Sequence, residues 1–369
     1  VKSVRAHAAI VVHTRTVHGS NVTLITECRR NRWQALGRTS RAVRRLQRDG
    51  LCLRVSGQIY SRLLLETRQA FLYPIKTWLR MVEPILKWAG GKRQLLTDIT
   101  ALFPVTYHAY HEPFVGGGAV FFHLDPDSGT INDLNERLTT FYEVVRDYPD
   151  DLIEENKTHE HSEEYFYEAR SEFNEFLSDS TLKHENRVRE ASLLLYLNRT
   201  CFNGLYRENS DGEFNVSFGR YTNPDWVQEQ RIRKASRSLQ GTRVFNTDFE
   251  YVLEEVSSGD LVYFDPPYEP VSKTADFNSY HADGFDRDDQ RRLRDVAVEL
   301  TEQNISVLIS NSPPVTELYE EHDAFSVTYV DATRAINSDA SNRGEVAEIL
   351  ITNVQPENRR RKTLADFTE

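Results

Sequence analysis

The feature that most constrains the fold is an alternation of strand-like and helix-like segments on both sides of a charged insertion. YHAYHEPF and GTIND before the insertion, and TRVF, LVYF, ISVLISN, AFSVTYV and EVAEILITN after it, have the composition of strands. Helical segments such as LNERLTTFYEVVRDYP and RDDQRRLRDVAVELTEQN lie between several of them. The pattern predicts an α/β fold, a mostly parallel sheet with helices on both faces. From about 150 to 240 the chain is charged and mostly helical.

The strand LVYF ends in a loop of unusual composition. Asp265 is followed by Pro266, Pro267 and Tyr268. Because a proline has no N–H to donate to a neighbouring strand, the strand must stop there. In open α/β sheets, ligands bind at the carboxyl ends of strands. The plainest alternative is an ordinary proline turn.

This loop has the groups needed to activate an aromatic amine. Such an amine is a poor nucleophile because its lone pair is delocalised into the ring. The Asp265 carboxylate and the Pro266 carbonyl can accept its two N–H groups, and the prolines aim both acceptors in advance. Tyr268 offers a face for stacking a base, which must first leave its duplex. We interpret the loop as holding an adenine or cytosine amine against a methyl donor.

A glycine turn and an acid suggest a second ligand. Gly116, Gly117 and Gly118 form a tight turn before a helix, where backbone can approach a ligand closely. Their spacing misses the dinucleotide-binding pattern. Asp133 ends the next predicted strand, where an acid usually contacts ribose hydroxyls. Together they predict an adenosine-type ligand, and the alternative for Asp133 is a helix cap.

The net charge of −11 conceals a strong asymmetry. Residues 1–80 hold 16 of the 45 Lys and Arg residues but 3 of the 56 Asp and Glu residues, so their net charge is +13 and that of the remainder is −24. The single methionine is Met81. We expect the working protein to start there, with 1–80 an upstream extension. The alternative is a basic arm that binds nucleic acid, and amino-terminal sequencing of protein from its native host would decide.

Composition also indicates the compartment and the partners to expect for this protein. The acidic balance resembles proteins of a salt-rich cytoplasm and argues against loose, nonspecific binding of nucleic acid, although not against a local basic cleft. No apolar stretch approaches the length of a membrane span. The three cysteines, Cys28, Cys52 and Cys201, have no metal-binding spacing and fit a reducing compartment. We expect a cytoplasmic protein that uses neither a membrane nor a metal.

Several motifs in a fixed order resemble the S-adenosylmethionine-dependent N6-adenine DNA methyltransferases of the alpha group, D12 class. They are KWAGGK at 87–92, the glycine turn, Asp133 and DPPY. The resemblance is closer still to the Dam-type enzymes, which methylate adenine in GATC. It extends through LYLNRTCFNGLYREN, GEFNVSFGRY, DPPYEPVSKTADFNSYHADGF and VLISN, and covers about 84 to 353. It implies a Rossmann-like methyltransferase sheet, S-adenosylmethionine as cofactor, double-stranded DNA as partner, and a monomer.

The resemblance also implies roles for individual positions. The catalytic positions are Asp265, Pro266, Pro267 and Tyr268. The cofactor-binding positions are Trp88, Lys92, Glu112, Pro113, Phe114, Gly116, Asp133, Asp248, Phe249 and Asp265. The DNA-contacting positions are Lys87, Phe202, Asn203, Arg207 and Tyr221.

Three DNA-facing positions have specific implied tasks. Phe202 replaces a tyrosine that enters the base stack where the adenine leaves, and it keeps the stacking face. Arg207 could contact a guanine, since an arginine side chain can form two hydrogen bonds to that base. Ser217 stands where a proline often contacts a thymine methyl group.

The resemblance divides the chain into parts. Residues 81–150 and 241–355 would form the catalytic domain, 151–240 the target-recognition domain, and 356–369 a polar tail. Residues 1–80 remain the basic extension.

Other targets, other methyltransferase substrates and a function without catalysis are the alternatives to this function. The departure at Ser217 motivates the same chemistry on another or relaxed target. Transfer to cytosine N4 usually has Ser in place of Asp265, and glutamine or ribosomal RNA methyltransferases usually have Asn. From a different class comes an inactive DNA-binding module, against which the intact Asp265 argues.

Overall fold

The computed structural model describes residues 82–176, 184–269, 285–333 and 345–360, and the backbone of two short strands near the amino terminus. The chain divides into two compact units, Val1–Gln69 and Ala70–Glu369. In the first unit, β1 (Val11–Val17) and β2 (Ser20–Thr26) form an antiparallel pair. Met81, most of the basic extension, the motif segment 270–284 and the end of the polar tail lie outside the described residues.

The described part of the second unit alternates strands and helices as expected. In chain order its elements are α1 (Leu96–Leu102), β3 (Tyr110–Glu112), α2 (Ala119–Leu124), β4 (Gly129–Asn132), α3 (Glu136–Asp147), α4 (Pro149–Asn156), α5 (Glu163–Glu175), α6 (His184–Thr200), α7 (Glu229–Leu239), β5 (Thr242–Phe245), α8 (Val252–Glu255), β6 (Leu261–Phe264), α9 (Arg287–Glu302), β7 (Ser306–Asn311), α10 (Glu317–Glu320), β8 (Ser326–Thr333) and β9 (Glu345–Thr352). None of the helices in the described ranges could cross a membrane.

Seven of these strands form one sheet in the order β5-β4-β3-β6-β7-β9-β8. Neighbouring strands from β5 to β7 are parallel, whereas β9 runs antiparallel to both β7 and β8. The prediction of a mostly parallel sheet is therefore confirmed. Because parallel strands share a direction, the loops after β3, β4, β5 and β6 emerge at the same edge.

Helices cover both faces of this sheet, as predicted. Side chains along β6 alternate between two buried clusters, with Leu261 and Tyr263 in the first and Val262 and Phe264 in the second. Successive side chains of a strand point to opposite faces, so each cluster marks one face. The first contains apolar residues of α3, and the second contains those of α9. A strand buried on both faces explains why LVYF is continuously apolar.

The charged insertion packs onto the first face rather than standing apart. Helix α6 contains a run of fully buried side chains, from Leu193 to Leu197, which belong to the same apolar cluster as α3. Its charged residues join neighbouring helices. The Arg189 guanidinium lies 2.8 Å from Glu155 and 2.7 Å from Glu172. The high charge of 151–240 therefore belongs to helix surfaces around an apolar centre.

Candidate active site

The loop after β6 places a carboxylate beside a buried lysine. Lys92 Nζ lies 2.9 Å from Asp265 Oδ1, and the lysine side chain is 6% exposed. Nζ also donates to the Gly90 carbonyl at 2.9 Å and lies 4.7 Å from the centre of the Tyr268 ring. Asp265 and Tyr268 thus share one site with Lys92, which lies more than 170 positions earlier in the sequence.

A carboxylate that the sequence analysis missed completes this group. Tyr268 donates its hydroxyl to Glu348 Oε2 at 2.7 Å, and the same oxygen lies 4.0 Å from Lys92 Nζ. Glu348 belongs to β9, where it precedes the buried residues Ile349 and Leu350. An acid directly before the apolar run Ile349–Ile351 was the available signal, because a charge is seldom buried without a partner.

Burial changes the acid–base properties of this site. It raises the pKa of Asp265 to about 6, with the Lys92 ammonium opposing the rise and the charge of Glu348 adding to it. Burial also raises the pKa of Glu112 well above its usual range, although the Tyr110 hydroxyl donates to Glu112 Oε2 at 2.8 Å. Three acids therefore surround one lysine, and Glu112 favours its neutral form.

Buried amides support the proline loop from behind. Gln290 donates to the Pro267 carbonyl at 3.1 Å, and Asn311 donates to Gln290 Oε1 at 2.9 Å. Ser312 donates its hydroxyl to the Glu269 carbonyl at 2.7 Å. Gln290 and Asn311 have no exposed surface. These contacts fix the loop on helix α9 and strand β7, and the sequence pattern gave no sign of them.

Asp133 ties the glycine turn to the end of β4. Its Oδ2 accepts the Gly116 N–H at 3.0 Å, and its Oδ1 accepts the Asn135 N–H at 3.0 Å. The residue that caps α3 is Asn135, whose side chain accepts the Leu138 N–H. Asp133 therefore joins the loops after two neighbouring strands instead of capping the helix.

Trp88 packs directly on the glycine turn. A Cβ atom at Gly116 would lie 3.0 Å from Trp88 Cδ1, and one at Gly117 would lie 2.8 Å from Trp88 Cβ. The Trp88 ring stacks on Tyr206 of the insertion, with 4.9 Å between ring centres. The Trp88 side chain therefore leaves little room for a Cβ atom at Gly116 or Gly117. The close approach of a ligand to these glycines stays a prediction.

Aromatic rings gather beside this turn. The ring centre of Phe114 lies 5.5 Å from that of Phe249 and 5.6 Å from that of Phe285. Arg292, which the sequence analysis missed, lies 4.9 Å above the Phe249 ring and 3.0 Å from Asp248. The predicted pair Asp248–Phe249 is thus held by one guanidinium.

An amide connects the two loops that carry these rings. Asn132 donates to the Pro113 carbonyl at 2.9 Å and to the Thr247 carbonyl at 3.0 Å. It also accepts the Thr247 N–H at 2.9 Å. The loops after β3 and β5 therefore keep a fixed separation. The predicted cofactor positions from both loops lie along one edge.

The insertion exposes three of the predicted DNA-facing residues, Phe202, Asn203 and Arg207. Phe202 is 50% exposed although it is a large apolar side chain. Its N–H donates to the Ser217 carbonyl at 2.8 Å, and the next residue, Asn203, has a φ of 56°. Arg207 is exposed and donates to Asn215 Oδ1 at 2.6 Å. The backbone is therefore held while the side chains face solvent.

Lys87 joins the amino-terminal motif to the insertion. Its N–H donates to Asn198 Oδ1 at 2.8 Å, and the Asn198 amide donates back to the Lys87 carbonyl at 2.7 Å. Its Nζ lies 4.7 Å from the centre of the Tyr221 ring. A Cβ atom at Gly204 would lie 2.2 Å from Lys87 Cδ, so only glycine fits there. Lys87 and Tyr221, predicted to face DNA, are thus brought together.

A mostly parallel sheet with one reversed strand, carrying these loops at its carboxyl edge, defines an α/β methyltransferase fold. Residues 88–336 match the family model of D12 class N6 adenine-specific DNA methyltransferases, and the chain belongs to this family. It is 41% identical over 278 residues to the type II methyltransferase M1.LlaDCHI of Lactococcus lactis subsp. cremoris, covering 74% of this chain and 95% of that one.

Two further relatives support the same assignment. The chain is 38% identical over 291 residues to the type II methyltransferase M.MjaIII of Methanocaldococcus jannaschii, covering 74% of this chain and 99% of that one. It is 35% identical over 269 residues to the DNA adenine methylase of Escherichia coli K12, covering 72% and 93%. The protein is an adenine-specific DNA methyltransferase, as the sequence analysis predicted.

Proposed function

We propose that the chain transfers the methyl group of S-adenosylmethionine to N6 of an adenine flipped out of double-stranded DNA, that its target is GATC, and that it acts as a monomer. The observation that carries this proposal is the partly buried Asp265 followed by two prolines at the carboxyl end of β6. The resemblance of LYLNRTCFNGLYREN and GEFNVSFGRY to Dam-type enzymes supports the target.

The residues along the sheet edge fit the proposed cofactor. The Asp133 carboxylate suits ribose hydroxyls, and the rings of Phe114 and Phe249 suit the faces of a purine. Trp88 and Asp248 would complete the site. When bound, the cofactor supplies a methyl group on a positively charged sulfur. That carbon is already activated and no water has to be ionised, so the proposal needs no metal.

In this proposal Asp265 accepts one N–H of the adenine amine and the Pro266 carbonyl accepts the other. Both acceptors direct the nitrogen lone pair out of the ring plane, and the supported proline loop keeps them in place before the base arrives. The Tyr268 ring stacks on the base. The proton lost from the amine passes to solvent, so no strong general base is needed.

The proposed recognition domain, 151–240, would hold the DNA open. Phe202 would fill the space that the adenine leaves, because its exposed ring can stack on neighbouring bases. Arg207 would pair with a guanine in the major groove, and Lys87 would contact the first guanine of the site. Asn203 and Tyr221 would contact the DNA beside them.

Expression in a host without adenine methylation tests this function. Sequencing of native DNA should then show N6-methyladenine at GATC, and GATC-sensitive digestion should report the same sites. The Asp265→Ala variant, expressed in parallel, is the control. Methyladenine in the wild-type sample chiefly outside GATC would reject the target while keeping the chemistry.

A second candidate keeps the chemistry and changes the target. Ser217 is exposed, and the hydroxyl cannot offer a thymine methyl the apolar surface that a proline does. The enzyme would then recognise one base pair of its target less strictly. The native-DNA experiment separates the two, since relaxed readout gives methyladenine at sites that differ from GATC at a single base pair.

A further inference from the structure

Glu348 occupies a position where a carboxylate is costly. It lies on β9, the reversed strand of the sheet, and its side chain is 17% exposed. The residues that follow it, Ile349 and Leu350, are fully buried. A carboxylate at such a place needs a charged or hydrogen-bonding partner to remain ionised. Neither the sequence motifs nor the proposed chemistry accounts for it.

Its two neighbours both belong to the catalytic site. Glu348 Oε2 accepts the Tyr268 hydroxyl at 2.7 Å and lies 4.0 Å from Lys92 Nζ. Lys92 is closer to Asp265, at 2.9 Å. One buried ammonium group therefore lies between two carboxylates and is paired with the one that the adenine requires.

This arrangement creates a conflict during the reaction. Lys92 approaches Asp265 Oδ1, and the proposed function requires the Asp265 carboxylate to accept an N–H of the adenine. A buried lysine that leaves one carboxylate is stable only beside another negative charge. Glu112 is poorly suited, because burial raises its pKa well above its usual range and favours the neutral form. Glu348, whose Oε2 lies 4.0 Å from Lys92 Nζ, is the other carboxylate that the lysine can approach.

We propose that Glu348 is a positioning residue: it receives the Lys92 ammonium group when adenine occupies Asp265, and it fixes the Tyr268 ring through the tyrosine hydroxyl. This inference rests on the proposed function. Glu348 itself touches neither the base nor the cofactor. Its charge stabilises the Lys92 ammonium group, and its hydrogen bond holds the Tyr268 hydroxyl. The two roles can therefore be separated by substitution.

The pH profile distinguishes the two roles because they act on Asp265 with opposite signs. The titratable groups facing Asp265 are Lys92, Glu348, Tyr268, Glu112 and Tyr263. Among them the charge of Glu348 raises the pKa of Asp265, whereas Lys92 and the hydroxyl of Tyr268 lower it. Glu348→Gln should therefore move the acidic limb of activity to lower pH. Tyr268→Phe, which breaks the same hydrogen bond, should move it to higher pH.

The experiment uses the full chain with unmethylated plasmid DNA and labelled S-adenosylmethionine between pH 5 and 9. Glu348→Gln should lower kcat on the order of 10- to 100-fold, the range for a misplaced catalytic group, with little change in KM. Glu348→Asp keeps the charge and should recover much of kcat and the wild-type acidic limb. Glu302→Gln, an exposed acid at the end of α9, is the matched control and should behave as wild type.

The outcomes separate the inference from the function on which it rests. If wild type methylates adenine and Glu348→Gln has the wild-type kcat and pH profile, the inference is overturned alone. If Glu348→Gln and Tyr268→Phe move the acidic limb in the same direction, Glu348 acts only as a support for Tyr268 and the transfer of Lys92 is wrong. If wild type methylates no adenine, the proposed function itself fails. Should Glu348→Gln unfold, Glu348→Asp with a displaced acidic limb would count against the charge role.

Discussion

The proposed catalytic edge of the sheet and the proposed recognition loop of the insertion, residues 201–221, are built in opposite ways. At the catalytic edge, side chains hold side chains: Lys92 lies between Asp265 and Glu348, and the tyrosine hydroxyl is already bonded. In the recognition loop, backbone contacts fix the chain while Phe202 and Arg207 face solvent. In the first region the proline loop is held in place before DNA arrives and only Lys92 is proposed to move, whereas in the second region the side chains are still exposed to solvent.

The difference predicts which property of the enzyme each region controls. A preorganised site stabilises developing charge without reorganising at the moment of reaction. A recognition surface gains its energy only when DNA replaces water around the exposed side chains. Substitutions at the catalytic edge should therefore affect the rate, and substitutions in the loop should affect which DNA is used.

The largest expected effect separates these regions at Asp265. Asp265→Ala removes the acceptor for the adenine amine, and kcat should fall by at least about 10²- to 10³-fold, the cost of losing one preorganised group. DNA affinity in a gel-shift assay should remain close to wild type, because the recognition loop is untouched. Asp211→Ala, an exposed acid in that loop, is the control. A variant that retains most of its methyl transfer would contradict the catalytic assignment.

A smaller effect is expected at Phe202. Phe202→Ala removes a stacking face worth about 1–3 kcal/mol per base, so kcat/KM should fall roughly 10- to 100-fold on matched duplexes. A duplex that already carries an abasic gap opposite the target should recover part of this loss. Phe202→Tyr keeps the ring and should remain near wild type. The melting temperature should hardly change, because half of the side chain is already exposed. Equal losses for both variants would argue against stacking.

The same contrast shows what the sequence could predict. Strand–helix alternation predicted the sheet, because a strand buried on both faces, such as LVYF, is continuously apolar and easy to recognise. The proline loop after β6 was also visible, because prolines end a strand. Glu348, Gln290 and Arg292 were not predicted. Each acts through a contact between segments far apart in the chain, and a local pattern such as the acid in β9 can show that a partner is needed but not which residue it is.

The glycine turn after β3 shows a second limit of local sequence. The turn was found from its composition, and the structure adds that Trp88 takes the space beside Gly116 and Gly117. Local sequence shows that a small residue is needed. Only the packing of the amino-terminal motif on the turn shows what needs the space.

An intermediate effect is expected from pH at the catalytic edge. Burial raises the pKa of Asp265 to about 6, and only the ionised form can accept an amine N–H with either oxygen. In kcat/KM, which reports the groups of the free enzyme, activity should be half-maximal near this pH and fall about tenfold per unit below it. DNA affinity, measured over the same range, should not follow this curve. A kcat/KM that is flat down to pH 5 would contradict an Asp265 that becomes protonated in this range.

The smallest expected effect comes from salt, which should act on the two regions in opposite directions. The 53 acids beyond residue 80 outnumber 29 basic residues, and their repulsion is screened as the Debye length falls from about 10 Å at 0.1 M to about 3 Å at 1 M. Arginines already offset part of it, as Arg292 does for Asp248 and Asp289, so the gain in kcat should be a few-fold. Counterions compete with Lys87 and Arg207 for phosphates, so KM for DNA should rise over the same range. Full activity in dilute buffer would show that the acidic surface is not what limits the enzyme.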